Sequence, residues 1–164
     1  EEQIVPVLTA INPFVTYYHS SKYIDDLANG DLCVAVGWSG DILQAGRRAA
    51  EAKQPFDIEY FIPKEGTNLW FDMMAIPVDA PHPDNAHQFI NFLMQPEVIA
   101  AVTNKVRYAN GNHAADAFID ADVLANPNIY PPPEIDARNY LLPPYPQKVD
   151  RKGLRMWTRL KTGR

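Results

Sequence analysis

Cysteine is almost absent from this sequence. Cys33 stands alone among 164 residues, which excludes an internal disulfide framework and leaves the redox compartment unreadable from composition. Long apolar runs are absent as well, and none approaches the roughly 20 residues that a membrane-spanning helix requires. The chain has no Gly-Xaa-Ser-Xaa-Gly elbow, no phosphate-cradling glycine loop and no Cys-Xaa-Xaa-Cys pair. It therefore lacks the signatures of a serine hydrolase, a P-loop nucleotide enzyme and a thiol redox centre. The four histidines, His19, His82, His87 and His113, fall in no metal-ligand spacing, so they read as surface residues, and neither a metal nor another cofactor is expected. Positive charge is scarce over most of the chain. Six of the 15 Lys and Arg lie in residues 151–164, leaving nine against all 20 acids in residues 1–150. Such an acidic body argues against nucleic acid as a partner and suits a cationic one.

What is present is globular in character, with 46% hydrophobic and 11% aromatic residues. Proline is unusually frequent, with 15 residues. The chain opens on Glu1, and the expectation is that a leader or a longer N-terminal portion precedes it. Tyr17-Tyr18 reads as a short extended segment. Ser20-Ser21 would cap a helix from Lys22 to Ala28, which Asn29-Gly30 ends. Leu32-Cys33-Val34-Ala35-Val36 has the unbroken apolar character of a strand buried on both faces, and Cys33 in its middle is a poor nucleophile. A helix from Ile42 to Lys53 follows. Asp57 to Ile62 and the run from Trp70 to Pro77 read as further strands. Asp84 opens an amphipathic helix with Ala86, Phe89, Ile90 and Leu93 on one face, and Pro96 starts another that runs to Lys105. Residues 126–146 hold seven prolines and read as extended, with a short helix between Glu134 and Tyr140. The basic end places Leu154, Trp157 and Leu160 at helical spacing, as in a terminal helix docked by one apolar face. Strands alternating with helices indicate an α/β fold. Two or three strands are few for a parallel sheet, which points to partner strands outside this chain.

Two acids stand in apolar settings. Asp41 follows Trp38 at a strand-to-helix junction, the place where open α/β sheets bind ligands; a plain helix N-cap would account for it equally well. Asp72 follows Trp70 inside an apolar run, where a carboxylate needs a counter-ion, whether an internal Lys or Arg or a bound cation. A carboxylate beside an indole suits an organic ammonium ion: the acid balances the charge, and the ring adds a cation–π attraction of roughly 0.5–2 kcal/mol while covering an alkyl chain.

Several blocks in order along the chain then carry a resemblance. They are Tyr18-His19-Ser20-Ser21-Lys22-Tyr23-Ile24, Leu27-Ala28-Asn29-Gly30-Asp31, Val36-Gly37-Trp38-Ser39-Gly40-Asp41, Ile62-Pro63-Lys64-Glu65-Gly66, Tyr108-Ala109-Asn110-Gly111-Asn112, Asn128-Ile129-Tyr130-Pro131 and Trp157-Thr158-Arg159-Leu160-Lys161-Thr162-Gly163. Together they resemble the periplasmic putrescine/spermidine-binding proteins of bacterial polyamine ABC importers, and cover only the C-terminal half or so of such a protein. The resemblance implies a type II periplasmic-binding-protein fold, two lobes joined by a hinge and closing on a polyamine, which is then handed to an inner-membrane permease. By position, Trp38 and Asp41 match a cleft aromatic and an ammonium-binding acid. Trp70 and Asp72 match the second aromatic wall and the principal carboxylate, and Tyr108 a cleft residue near the hinge. The two indoles would flank the ligand's alkyl chain. Residues 1–69 and 119–164 would belong to the second lobe, and residues 70–118 would return to the first. Some family members that favour putrescine carry Phe where this chain has Trp70, while spermidine-favouring members tend towards Trp, which tilts the expectation towards spermidine or mixed use. Cys33 is expected to pair with a cysteine upstream of residue 1, and the missing N-terminal half, or a complementary chain, to cover the exposed sheet edges. A polyamine sensor on the same fold is a second reading. An unrelated small α/β enzyme is a third, against which the lack of a nucleophile or metal constellation counts.

Overall fold

A computed structural model describes residues 3–162. Two compact units emerge, residues 20–141 in one and residues 1–19 with 142–164 in the other. In the smaller unit, α1 (Ile4–Ile11) runs into a 3₁₀ turn at Asn12–Phe14 and packs against α8 (Gln147–Thr162). The Asn12 amide donates to the Leu160 carbonyl at 3.3 Å, and Tyr18 meets Trp157 edge to face at 4.7 Å. The terminal helix forms as expected and meets α1, but the apolar face predicted for it is not buried: Leu154 and Trp157 stay 65% and 37% exposed, and of the three only Leu160 is half-buried. Its partner α1 is a helix that sequence reading left unassigned.

The larger unit is organised around α3 (Ser39–Glu51). Helix α2 (Tyr23–Asn29) ends at Gly30, whose φ of 82° is the left-handed conformation that glycine adopts without cost. The residue ahead of α2 is Lys22 rather than a serine cap, and it makes no side-chain cap bond. Tyr23, Leu27 and Ala28 of α2 and Ile42 and Ala45 of α3 form one buried cluster, backed by Leu32, Ala35, Ile58 and Tyr60. Arg48 of α3 pairs with Asp25 of α2 across the outer side of this contact. A second cluster, against which Leu43 of α3 packs, joins Ala100 of α5 (Pro96–Val106) to Ala115, Ile119, Val123 and Ile129. It is closed by a 3₁₀ turn at His113–Phe118 and a short helix, α6 (Ala121–Leu124). Helix α4 (Pro83–Leu93) precedes α5 and turns Ala86, Ile90 and Leu93 inward, while Phe89 stays exposed.

The sheet is small. β1 (Asn68–Leu69) pairs in parallel with β2 (Tyr140–Leu141), which follows the single helical turn α7 (Pro133–Asp136). The three runs read as strands do not pair with any described segment. Residues 32–36, 57–62 and 70–77 have no regular secondary structure, with Cys33 exposed in a bend and Val34 and Val36 at 83% and 100% exposure. The physical reason is that a strand exists only against a hydrogen-bonding neighbour, and among the described residues the one ladder is that of β1 with β2. Leu32 and Ala35 are half-buried on the α2–α3 cluster while the residues between them face outward. The burial expected of Cys33 and of the run around Asp72 is therefore not found.

Candidate functional site

The turn Gly37-Trp38-Ser39-Gly40-Asp41 opens α3 and gathers most of the predicted site. Trp38 is the N-cap, with extended φ and ψ of −73° and 140°, and Asp41 is the third residue of the helix. Asp41 is thus not a helix N-cap, the plainer of the two accounts its sequence position allowed. Its carboxylate accepts a 2.7 Å hydrogen bond from the Tyr23 hydroxyl on Oδ2, and the Tyr108 hydroxyl stands 3.5 Å from Oδ1. The Tyr23 oxygen in turn accepts the Trp38 amide N–H at 3.1 Å. No Lys, Arg or His among the described residues forms an ion pair with Asp41. The carboxylate is half-buried, held by phenols and uncompensated in charge.

Glycine makes this arrangement possible at two positions. A Cβ on Gly37 would stand 2.6 Å from Cζ of Tyr23, and a Cβ on Gly40 would stand 2.5 Å from Cζ of Tyr108 and 2.6 Å from the Val106 carbonyl. All three distances are well inside van der Waals contact, so only hydrogen at these positions lets the two phenols lie against the turn. Burial raises the Tyr23 hydroxyl well above its ordinary value, helped by its bond to Asp41 and opposed by the Trp38 amide. Tyr108 is pushed up to about 12, chiefly by burial and next by the Asp41 charge. Both are neutral donors at any physiological pH.

Tyr108 follows the left-handed C-cap of α5, Arg107, whose φ is 63°. The loop beyond is tied down by amide side chains. Asn110 donates to the buried Thr103 hydroxyl at 2.9 Å, the Asn112 amide N–H donates to Asn110 Oδ1, and the Asn112 side chain donates to the Met94 carbonyl. Arg107 is anchored to Asp122 at 2.8 Å, and that bond holds the Asp122 carboxyl below the usual carboxylate range. The asparagines of the Tyr108-to-Asn112 block therefore fix the direction in which Tyr108 points.

Trp70 joins the site directly after β1. Its ring meets Trp38 edge to face with centroids 4.8 Å apart, and meets Tyr108 at 5.5 Å. The three rings form one aromatic wall beside Asp41. An alkyl chain would need the indole planes to stand about 7 Å apart to pass between them, so the rings in contact do not form the slot that flanking indoles would make. Asp72 is exposed on the segment beyond Trp70, and no hydrogen bond or ion pair ties it to the described residues. Four of the five predicted residues, Trp38, Asp41, Trp70 and Tyr108, are thus brought together. Asp72 is adjacent in sequence to that group but is not drawn into its bonds. Sequence reasoning missed Tyr23, whose only signal was its place in the Tyr18-to-Ile24 block ahead of a Gly-Trp-Ser-Gly turn. Among the described residues no group of three or more His, Cys, Asp and Glu could hold a metal ion, and no helix is long and apolar enough to cross a membrane.

A model of the bacterial extracellular solute-binding proteins matches residues 7–131, and the chain belongs to that family. Within it, the chain is 46% identical over 158 residues to the putrescine-binding periplasmic protein PotF of Escherichia coli, covering 96% of this chain and 43% of PotF. It is 49% identical over 154 residues to the putrescine-binding periplasmic protein SpuD of Pseudomonas aeruginosa, covering 94% and 42%. The spermidine/putrescine-binding periplasmic protein of Escherichia coli is 29% identical over 127 residues, covering 77% and 35%. The chain spans less than half the length of these relatives.

Proposed function

We propose that this chain is part of a periplasmic polyamine-binding protein that takes up putrescine or spermidine in a cleft and delivers it to the permease of an ABC importer, without catalysing a reaction. The observation that carries this reading is the Asp41 carboxylate, half-buried beside Trp38, Trp70 and Tyr108, donated to by phenols and lacking a cationic partner. An acid so placed is short of one positive charge, and a primary ammonium supplies that charge together with N–H donors. Edge-on indoles offer their exposed faces to the methylene chain that follows. The names of the more similar relatives favour putrescine, whereas Trp70 favours spermidine or mixed use, so both ligands belong in the test.

The finer architecture is part of the same proposal. The fold is the type II periplasmic-binding fold with two lobes and a hinge. This chain carries its C-terminal portion, with residues 1–69 and 119–164 in the second lobe and residues 70–118 in the first. The exposed segments at 32–36 and 70–77, outside the β1–β2 ladder, then have a reason, as strands that pair with the complementary part of the protein. In that assembly Asp72 binds the ammonium group at the far end of the ligand from Asp41, and Cys33 pairs with a cysteine earlier in the polypeptide. The test is calorimetry with putrescine and spermidine on the native polypeptide that carries this sequence. Micromolar or tighter binding that is lost in Asp72→Ala supports the reading, and an Asp72→Ala variant that binds as well as the unaltered protein overturns it.

A further inference from the structure

We propose that Tyr23 is a positioning residue of the ligand site, one that sets the aromatic and the acid with a single hydroxyl; this rests on the polyamine reading above. A phenol has one proton to give and lone pairs to receive. The Trp38 amide N–H can only donate, and it donates to the Tyr23 oxygen at 3.1 Å. The phenol proton is therefore directed to its other neighbour, Asp41 Oδ2, at 2.7 Å. Hydrogen-bond polarity is thus settled along the whole chain from Trp38 through Tyr23 to Asp41, and the carboxylate oxygen at its end must be an acceptor.

The position of Asp41 in α3 explains why a tyrosine is needed. An acid three residues after the N-cap ordinarily reaches back to the N-cap amide, as in a capping box. Trp38 is the N-cap and Asp41 occupies that third position, but the Trp38 amide is taken by Tyr23. The phenol stands between the two groups that would otherwise bond to each other. It holds the Trp38 backbone on one side and turns the carboxylate on the other, so Asp41 does not fold back onto its own helix. Oδ2 is tied at 2.7 Å, whereas Oδ1 receives only the long 3.5 Å hydrogen bond of the Tyr108 hydroxyl and is the oxygen more open to a ligand. The groups facing Asp41 are these two phenols, and no Lys, Arg or His is ion-paired with it among the described residues. The ring of Tyr23 is anchored in the α2–α3 cluster at 5% exposure, and Gly37 lets it press against the turn. The hydroxyl is thus fixed from the core, not from the surface.

A double-mutant cycle on the native polypeptide separates positioning from plain support. Putrescine and spermidine affinities are measured by calorimetry for the unaltered protein, Tyr23→Phe, Asp41→Asn and the double variant, with far-ultraviolet circular dichroism confirming that each is folded. Phenylalanine keeps the packed ring and removes only the hydroxyl. Tyr23→Phe is expected to weaken diamine binding on the order of tenfold, and the same change in the Asp41→Asn background to cost almost nothing, because the oriented carboxylate is already gone. Losses that multiply independently, or a Tyr23→Phe variant that binds like the unaltered protein, overturn the inference alone. Absence of any diamine binding by the unaltered protein overturns the reading of the site and this inference with it. Should Tyr23→Phe fail to fold, Gly37→Ala, which displaces the same phenol, takes its place in the cycle with the same expected non-additivity.

Discussion

Asp41 and Asp72 each follow a tryptophan by a few residues, yet the chain surrounds them in opposite ways. Asp41 lies in a helix, packed on one side by a buried tyrosine and approached by a second, with every neighbour supplied from within residues 20–141. Asp72 lies on a segment without regular secondary structure whose Phe71 and Met73 are 68% and 86% exposed, and it has no described partner. One acid is pre-organised by local structure; the other has only its sequence position. The difference shows that the same sequence setting, an acid a few residues after a tryptophan, gains fixed bonding partners only where the helical frame brings other segments to it.

The largest effects expected from this comparison fall on binding. Asp41→Ala and Asp72→Ala should each weaken putrescine affinity by about a hundredfold, near 3 kcal/mol, since each removes the partner of a desolvated ammonium. Equal losses from the two would place both acids in one site in spite of their different surroundings, and a loss confined to Asp41 would break the pairing. Next comes Gly40→Ala, for which crowding of Tyr108 and the Val106 carbonyl should cost about 1–3 kcal/mol in urea unfolding. Gly111→Ala is the matched control, because nothing lies within 4 Å of a Cβ there.

A smaller effect is expected at alkaline pH. The folded state raises the Tyr108 hydroxyl from 10.0 to about 12 and therefore holds its proton more tightly than the unfolded chain does. The stability this contributes is fully present below pH 10 and is lost as pH rises from there towards 12. Tyr108→Phe should flatten that part of the unfolding profile, and an unchanged slope in the variant would remove Tyr108 from the Asp41 cluster. The smallest expected effect is on the stability of Asp72→Ala, which should lie within about 0.5 kcal/mol of the unaltered protein. Asp41→Ala should cost about 1–3 kcal/mol, because the Tyr23 hydroxyl loses its acceptor. Thermal or urea unfolding of the two variants side by side would test the contrast drawn between the acids.

Much of the helical frame was legible because its signals are local. Gly30 marks the end of α2, Pro96 the start of α5, and the spacing of Leu154, Trp157 and Leu160 the helix α8. Each signal depends on backbone conformations or side-chain positions within a turn or two; the α8 spacing thus marked the helix, while its apolar face stays largely exposed at Leu154 and Trp157. The runs at 32–36, 57–62 and 70–77 were read as strands from their apolar or alternating character, which reports a preference for extended backbone and for burial. It does not report a neighbour. The paired residues, Asn68–Leu69 with Tyr140–Leu141, lie about 70 positions apart and showed no such pattern. Trp38, Asp41 and Trp70 were legible both as chemistry and through the family resemblance, and Tyr108 through the resemblance alone. The role of Tyr23 was not, because its hydroxyl reaches Asp41 across 18 residues of chain.

By itself the sequence determined the chemical inventory: acids beside indoles, an acidic body with a basic end, one cysteine, and helices bounded by glycine and proline. Those properties depend on residue identity and near neighbours, and they survive whatever the rest of the chain does. Tertiary structure alone decided which groups meet. It brought two tyrosines onto one carboxylate, set Trp38 and Trp70 edge to face with no slot between them, and left Asp72 in the open. Each of these outcomes rests on contacts between segments far apart in sequence, and the close approaches at Gly37 and Gly40 carry meaning only once the phenols that fill them have arrived.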